Sequence, residues 1–321
     1  MRLPEISPRT YAIVATAATV SLALIVLTGA GVRLTGSGLG CTNWPTCDGD
    51  VVAPATVHSW IEYGNRLISG VVGLLAIAAG LLAFRRRPFR RDLAILGTLL
   101  PIGVVMQAVL GMWTVKYHLQ PGFVMGHFLL SMVILIAAVM LVWCAWHEPG
   151  SRPRNPDMLA VWGTRALFPL SSLLYFMGTV ATAAGPHPGS ARTGEVVHRL
   201  DWRGSDTVEW AIHTHGRLGT ALGVSCVLLW FFLRRRGADR QLLNALAATA
   251  ILIGVQGVVG AIQYFNGLPA GVVWVHIVVA TLAWMTMMWA LCAAGRAVPR
   301  AERAAAKTPQ PPVGRSAAES A

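Results

Sequence analysis

The sequence predicts an all-α polytopic membrane protein: eight transmembrane helices arranged as two pseudo-symmetric four-helix bundles. Three observations predict it. Only 12% of the 321 residues are charged while 55% are hydrophobic, about half the roughly 25% charge of a soluble domain. Apolar runs near the ~20 residues needed to cross a bilayer recur eight times. Several polar and glycine positions repeat at one constant spacing. The formal net charge of +12 suits a nucleic-acid binder only when the basic residues decorate a soluble fold. These runs exclude that, so no nucleic-acid partner is expected and the lipid bilayer is the common environment.

The spans fall at 11–32, 60–84, 93–114, 122–146, 160–184, 209–233, 242–265 and 270–294. The first is longer than the apolar stretch of a signal peptide and seven more follow, so it reads as a retained helix. Lys and Arg set the direction. Arg2 and Arg9 precede the first span. Arg85, Arg86, Arg87, Arg90 and Arg91 fill the second connection, and Arg152, Arg154 and Arg165 flank the fourth. Arg234, Arg235, Arg236 and Arg240 fill the sixth, and Arg296, Arg300, Arg303, Lys307 and Arg315 follow the last span. All lie on one side, which places both termini in the cytoplasm and the chain in the plasma membrane.

The expected organisation is a cytoplasmic N-terminus (1–10), an N-terminal bundle (11–147), a cytoplasmic linker (148–159), a C-terminal bundle (160–295) and a tail (296–321). The tail is rich in Ala, Pro and Arg and is expected to be disordered. Cys41 and Cys47 fall on the first outer loop, where disulfides persist. They read either as a staple or as a redox-active pair. Cys144, Cys226 and Cys292 lie inside spans and read as small buried hydrophobes.

The repeat is exact in spacing. Gln107 and Gln256, His127 and His276, Gly29 and Gly178, and Gly36 and Gly185 are all 149 residues apart. In the second and sixth helices Arg66 pairs with Arg217 at 151. The unit is therefore four helices, and an even number of spans gives both halves the same orientation, related by an axis along the membrane normal.

Ionisable groups inside spans are costly and mark functional candidates. Glu62, Asn65 and Arg66 are spaced i, i+3, i+4 and share one helix face. They read as part of a site, or as a local ion pair securing a helix end. The sixth helix carries His213, His215, Gly216 and Arg217. His127, His276, His213 and Glu62 lie at similar depth near the outer face. Neutral imidazole ligates haem iron well, and two axial histidines suit a b-type haem. No zinc or iron–sulfur spacing occurs.

The stretch Gly31-Val-Arg-Leu-Thr-Gly-Ser-Gly-Leu-Gly-Cys41-Thr-Asn-Trp-Pro-Thr-Cys47 resembles the first-helix and first-loop signature of the haem A synthase family. Ile61-Glu-Tyr-Gly-Asn-Arg66 resembles its second-helix motif, and Gly185-Pro-His-Pro-Gly189 the outer loop of its second half. With the eight spans, the likeness covers residues 10–295. It implies oxidation of a methyl group of haem O to a formyl group, giving haem A for aa3-type cytochrome c oxidase. It implies substrate haem O in the N-terminal bundle and haem b in the C-terminal one. Glu62 matches the family's essential second-helix glutamate, and His127 and His276 match its fourth- and eighth-helix histidines. Cys41 and Cys47 match its loop cysteine pair. The partners it implies are haem O, the farnesyltransferase that makes it, and cytochrome c oxidase assembly.

Two positions depart from the family pattern. Many members have histidine just before the second-helix arginine, where this chain has Asn65. An amide is a poor iron ligand. His58, one turn before Glu62, is the alternative approach to substrate haem, and His127 alone would leave an open position on the iron. In the sixth helix Gly216 precedes Arg217, so the haem b ligand is His213 or His215. His213 is favoured because it shares the face of Gly216 and Arg217, whereas His215 lies with Leu218 and Leu222, which read as lipid- or helix-facing.

The chemistry expected is methyl to alcohol to aldehyde, with the haem carrying the redox work. Glu62 would take a proton or stabilise positive charge, and Arg66 and Arg217 would pair with haem propionates. The competing readings are a di-haem b-type electron-transfer protein linked to quinone, and a transporter built on the four-helix repeat. Transporters place broken helices around a midplane site, whereas these polar residues cluster near one face.

Overall fold

The computed structural model describes residues 5–191 and 196–298. Among the described residues, eight helices are long and apolar enough to cross a membrane. They are α1 (Pro8–Leu34), α2 (Val57–Ala83), α3 (Arg91–Lys116), α4 (Pro121–Trp146), α5 (Thr164–Ala184), α6 (Thr207–Arg235), α7 (Arg240–Phe265) and α8 (Ala270–Ala294). A wider helical turn, Leu159–Gly163, leads into α5. The protein is a multi-pass membrane protein, and the apolar runs locate its helices to within a few residues.

Local chemistry sets the ends. The Ser7 side chain accepts from the Thr10 amide, that of Thr56 from Ser59, and that of Asp239 from Gln241, each satisfying a donor left open by the first turn. Pro8 and Pro121 start helices, where a missing N–H costs nothing. A tight helical turn (Pro149–Ser151) and three short strands complete the described secondary structure: β1 (Arg154–Asn155), β2 (Trp202–Ser205) and β3 (Arg296–Ala297). β1 and β3 pair in parallel, so Arg296 and Ala297, expected in a disordered tail, are instead tied to the connection before α5. The remainder of that tail, 299–321, lies outside the described residues.

Neighbouring helices follow the repeat. α1, α2, α3 and α4 pack in a closed ring, as do α5, α6, α7 and α8, and the halves meet through α1 and α4 against α8 and α4 against α5. Large hydrophobics such as Leu74, Ile95, Val105, Leu228 and Ile251 remain exposed, as a lipid-facing surface requires. One hydrophobic core draws on all eight helices, from Tyr11 and Leu22 through Leu135 and Trp143 to Leu246 and Met288. It fills the half of the bundle nearest the termini. Trp284 Nε1 donates to the Met132 carbonyl at 2.9 Å across the two halves. A network of Arg86, Arg90, Asp92, Glu148 and Arg152 closes that end.

The structure refines the repeat in one place. The buried stripe of α2 is Val72, Ala76, Ala79 and Ala83, and that of α6 is Leu222, Cys226, Leu229 and Leu233, a constant spacing of 150. A Cβ on Gly73 would meet Val104, and one on Gly223 would meet Ile253, again 150 apart on α2/α6. Packing therefore aligns Asn65 with His215, and Arg66 does not stand where Arg217 stands. The expected spacing of 151 rested on matching the arginines, and side-chain identity at the membrane edge is a weaker constraint than the buried face.

Candidate functional site

Opposite the core, the loop-side half of the molecule is hollow. A cavity of about 2030 Å³ opens between the helices of both halves, twice the upper end of the ~300–1,000 Å³ usual for small-molecule pockets. Its walls carry His127, His213, His215 and His276, together with Glu62, Asn65, Arg66 and Arg217. Glu62 is its single carboxylate among the described residues.

The two halves build the same feature. Gln107 Nε2 donates to the His127 carbonyl at 3.0 Å, and Gln256 Nε2 donates to the His276 carbonyl at 3.0 Å. Gly111 on α3 faces the His127 ring, with a hypothetical Cβ 3.3 Å from Cε1, and Gly260 on α7 faces His276 at 3.7 Å. Small residues let each histidine lie flat against its neighbour. In both rings Nδ1 is buried without a partner, which leaves Nε2 as the nitrogen open to the cavity. A buried ring nitrogen with no hydrogen-bond partner is costly, and both halves repeat it at matching places on the cavity wall.

In the C-terminal half a second imidazole stands beside the first. His215 lies with its centroid 6.0 Å from that of His276, a separation that one metal with ~2 Å bonds to each ring spans. His215 Nδ1 donates to the Leu174 carbonyl at 3.0 Å, the orienting bond usual for a ligating histidine. His213 is different: its side chain is 51% exposed, 3.6 Å from Glu209 and beside the Tyr264 ring. Of the two surroundings expected for the leucines beside His215, lipid or helix, the structure gives helix: Leu222 is only 1% exposed. Leucine packs equally well on lipid and on helix, so it could not tell the two faces apart.

In the N-terminal half, among the described residues, α2 presents no imidazole to the cavity opposite His127. Asn65 Oδ1 accepts from the Thr28 hydroxyl at 2.7 Å. His58 is exposed, its Nδ1 2.9 Å from Ser37 Oγ, and does not line the cavity. Glu62 and Arg66 act on the first loop. Glu62 Oε1 pairs with Arg66 Nη2 at 2.5 Å, and Oε2 accepts from the Cys41 amide at 2.8 Å. Arg66 Nη1 donates to the carbonyls of Asn43 and Thr46 at 2.9 Å each. Cys41 and Cys47 are joined by a disulfide, so this pair of charges grips a covalently closed loop from beneath.

The sequence reading missed Arg33. It lines the cavity from α1, donates from Nη2 to the carbonyls of Thr182 and His187 at 2.8 Å each, and keeps Nε buried and unpartnered. Arg199 donates to the same two carbonyls, and burial pushes its guanidinium below the ordinary arginine value. The signal was present, since Arg33 is a third arginine near the outer end of a span.

A family model described as "Cytochrome oxidase assembly protein" (COX15-CtaA) matches residues 11–60 and 55–187. A heme A synthase of Halalkalibacterium halodurans is 27% identical over 179 residues, 55% of this chain and 59% of that protein. One from Shewanella oneidensis is 33% identical over 150 residues, 41% of this chain and 43% of that protein. A protoheme IX farnesyltransferase of Haloarcula marismortui is 33% identical over 156 residues, 46% of this chain and 32% of that protein. The chain spans about half the length of the heme A synthases it matches.

Proposed function

The chain belongs to the cytochrome oxidase assembly protein family, and from that premise we propose that it is a haem A synthase, an oxidoreductase that converts a methyl group of haem O to the formyl group of haem A. The observation that carries this reading is the duplicated Gln–His wall, Gln107 with His127 and Gln256 with His276, inside one cavity large enough for two tetrapyrroles. Haem A would serve aa3-type cytochrome c oxidase, in keeping with the family's description.

The residues fit one haem b in the C-terminal half, held by His276 and His215, with His215 preferred to the exposed His213. That haem would supply an electron path to and from the substrate. Substrate haem O belongs in the N-terminal half against His127. The methyl-to-alcohol and alcohol-to-aldehyde stages each remove two electrons and two protons, the first also adding an oxygen at the level of water. Glu62 is the carboxylate of the cavity wall, placed to take a proton or to balance positive charge. Arg66 has Nη1 committed to the loop and Nη2 to Glu62, and Arg33 has Nη2 committed to two carbonyls, so Arg217 is the better placed cation for haem propionates. The farnesyltransferase that makes haem O is the natural upstream partner, since its product would be the substrate here. Both termini are assigned to the cytoplasm and the cavity to the outer half of the plasma membrane, because the arginine-rich connections share the termini's side.

The test is haem extraction from cells lacking the gene and from cells regaining it. Haem A should appear only with the gene, and haem O should accumulate without it. Purified protein that retains haem b while haem A is unaffected in the cells would favour the di-haem electron-transfer reading.

A further inference from the structure

The internal repeat supplies a control within the molecule. Packing aligns Asn65 with His215, because the buried stripes of α2 and α6 superpose at a spacing of 150. Both side chains reach the matching stretch of the neighbouring helix. His215 bonds Leu174 and lies against Gly178 on α5. Asn65 bonds Thr28 on α1, one residue before Gly29. A Cβ on Gly178 would stand 3.0 Å from the His215 ring, whereas a Cβ on Gly29 would meet nothing within 4 Å. The space that an imidazole fills in one half is therefore open in the other. His58, the remaining histidine on that side of α2, is exposed, bonded to Ser37 and outside the cavity wall.

We propose that the haem of the N-terminal half takes His127 as its one protein ligand, and that Asn65 stands over the opposite axial position as a hydrogen-bond donor to a small exogenous ligand of the iron, of the size of water or a diatomic molecule. The inference rests on the functional reading above. With Oδ1 engaged by the Thr28 hydroxyl, the polar atom Asn65 offers the cavity is Nδ2, a donor and not an iron ligand. Distal donors and steric access are what decide whether a haem binds small ligands. The C-terminal half, closed on both sides by His215 and His276, would bind none.

The experiment uses the full-length chain purified from cells that co-express a haem O-forming farnesyltransferase, read by ferric EPR and by the carbon monoxide difference spectrum after reduction. The expected result is a low-spin, carbon monoxide-silent haem together with a high-spin haem that binds carbon monoxide. His127→Ala should remove the second and spare the first. Asn65→His should turn the second low-spin and lower its carbon monoxide affinity at least tenfold, a gain of ligation that misfolding cannot imitate. Asn65→Ala should keep carbon monoxide binding and raise the C–O stretching frequency. Two haems per chain that are both low-spin and carbon monoxide-silent in the unaltered protein would overturn the ligation alone, as would a carbon monoxide-binding haem that survives His127→Ala. An unchanged C–O stretch in Asn65→Ala would overturn the donor role. Protein that takes up a single haem and forms no haem A would overturn the functional reading along with it.

Discussion

Arg33 donates to the carbonyl of Thr182 at 2.8 Å, and Thr182 is Arg33's own counterpart, 149 residues further along the chain. A contact between repeat counterparts can lie only near the pseudo-two-fold axis, so this arginine marks where the halves meet on the loop side. Trp284, bonded to Met132, joins them from the core.

Arg33→Ala should therefore loosen the two halves. Hydrogen bonds from a charged donor contribute about 1.5–3 kcal/mol each, and Arg199, which donates to the same carbonyls, would offset part of the loss. A drop of roughly 4–8 °C in the apparent melting temperature in detergent is expected. Arg33→Lys should recover part of it. A melting curve unchanged in Arg33→Ala would show that the axis is held by the core alone.

The first loop should stay in place without its disulfide. Arg66 binds the carbonyls of Asn43 and Thr46, Glu62 binds the Cys41 amide, and Asp48 Oδ1 accepts from the Thr42 amide at 3.0 Å. Hydrogen exchange across 42–47 should accelerate more in Arg66→Ala than in the double Cys41→Ser, Cys47→Ser variant. If the double variant keeps its protection and loses haem A formation, the cysteines work as a redox pair; if it keeps both, they are a staple.

Much of this architecture was legible because bilayer physics is coarse. Any helix that crosses must satisfy its own backbone in about 20 apolar residues, so the eight runs showed themselves, and the spacing of His127 and His276 exposed the repeat. The site was less legible where residue type is ambiguous. Leu222 reads the same against lipid or helix, so it gave no ground for choosing between His213 and His215. Arg66 and Arg217 look like partners, yet one grips a loop while the other is exposed. Arg33 gained meaning only when α1 was seen against the segment 182–187 of the other half.

His215→Ala should abolish the low-spin haem b spectrum, and His213→Ala should leave it intact. The distinction follows from placement: His215 faces His276 with its Nδ1 bonded to Leu174, while His213 is half exposed beside Glu209. Haem content per chain of the two purified variants decides it. Loss of haem b in His213→Ala with retention in His215→Ala would reverse the assignment.

The glycine pair Gly178 and Gly29 gives a subtler test of the same asymmetry. Alanine in a helix is favoured over glycine by about 0.8–1.0 kcal/mol, so either substitution should stabilise an unliganded bundle if there is room. At Gly178 there is none: the new Cβ would sit 3.0 Å from Cε1 and 3.3 Å from Nδ1 of His215, a ring already pinned by Leu174. The imidazole must rotate or withdraw, and the low-spin haem b signal should broaden or fall several-fold in Gly178→Ala. At Gly29 the Cβ meets nothing within 4 Å, so Gly29→Ala should leave haem b untouched and hold or raise the melting temperature. Equal spectra for the two variants would mean that the His215 ring is not confined by α5, and that the open space beside Asn65 is no measure of a missing imidazole.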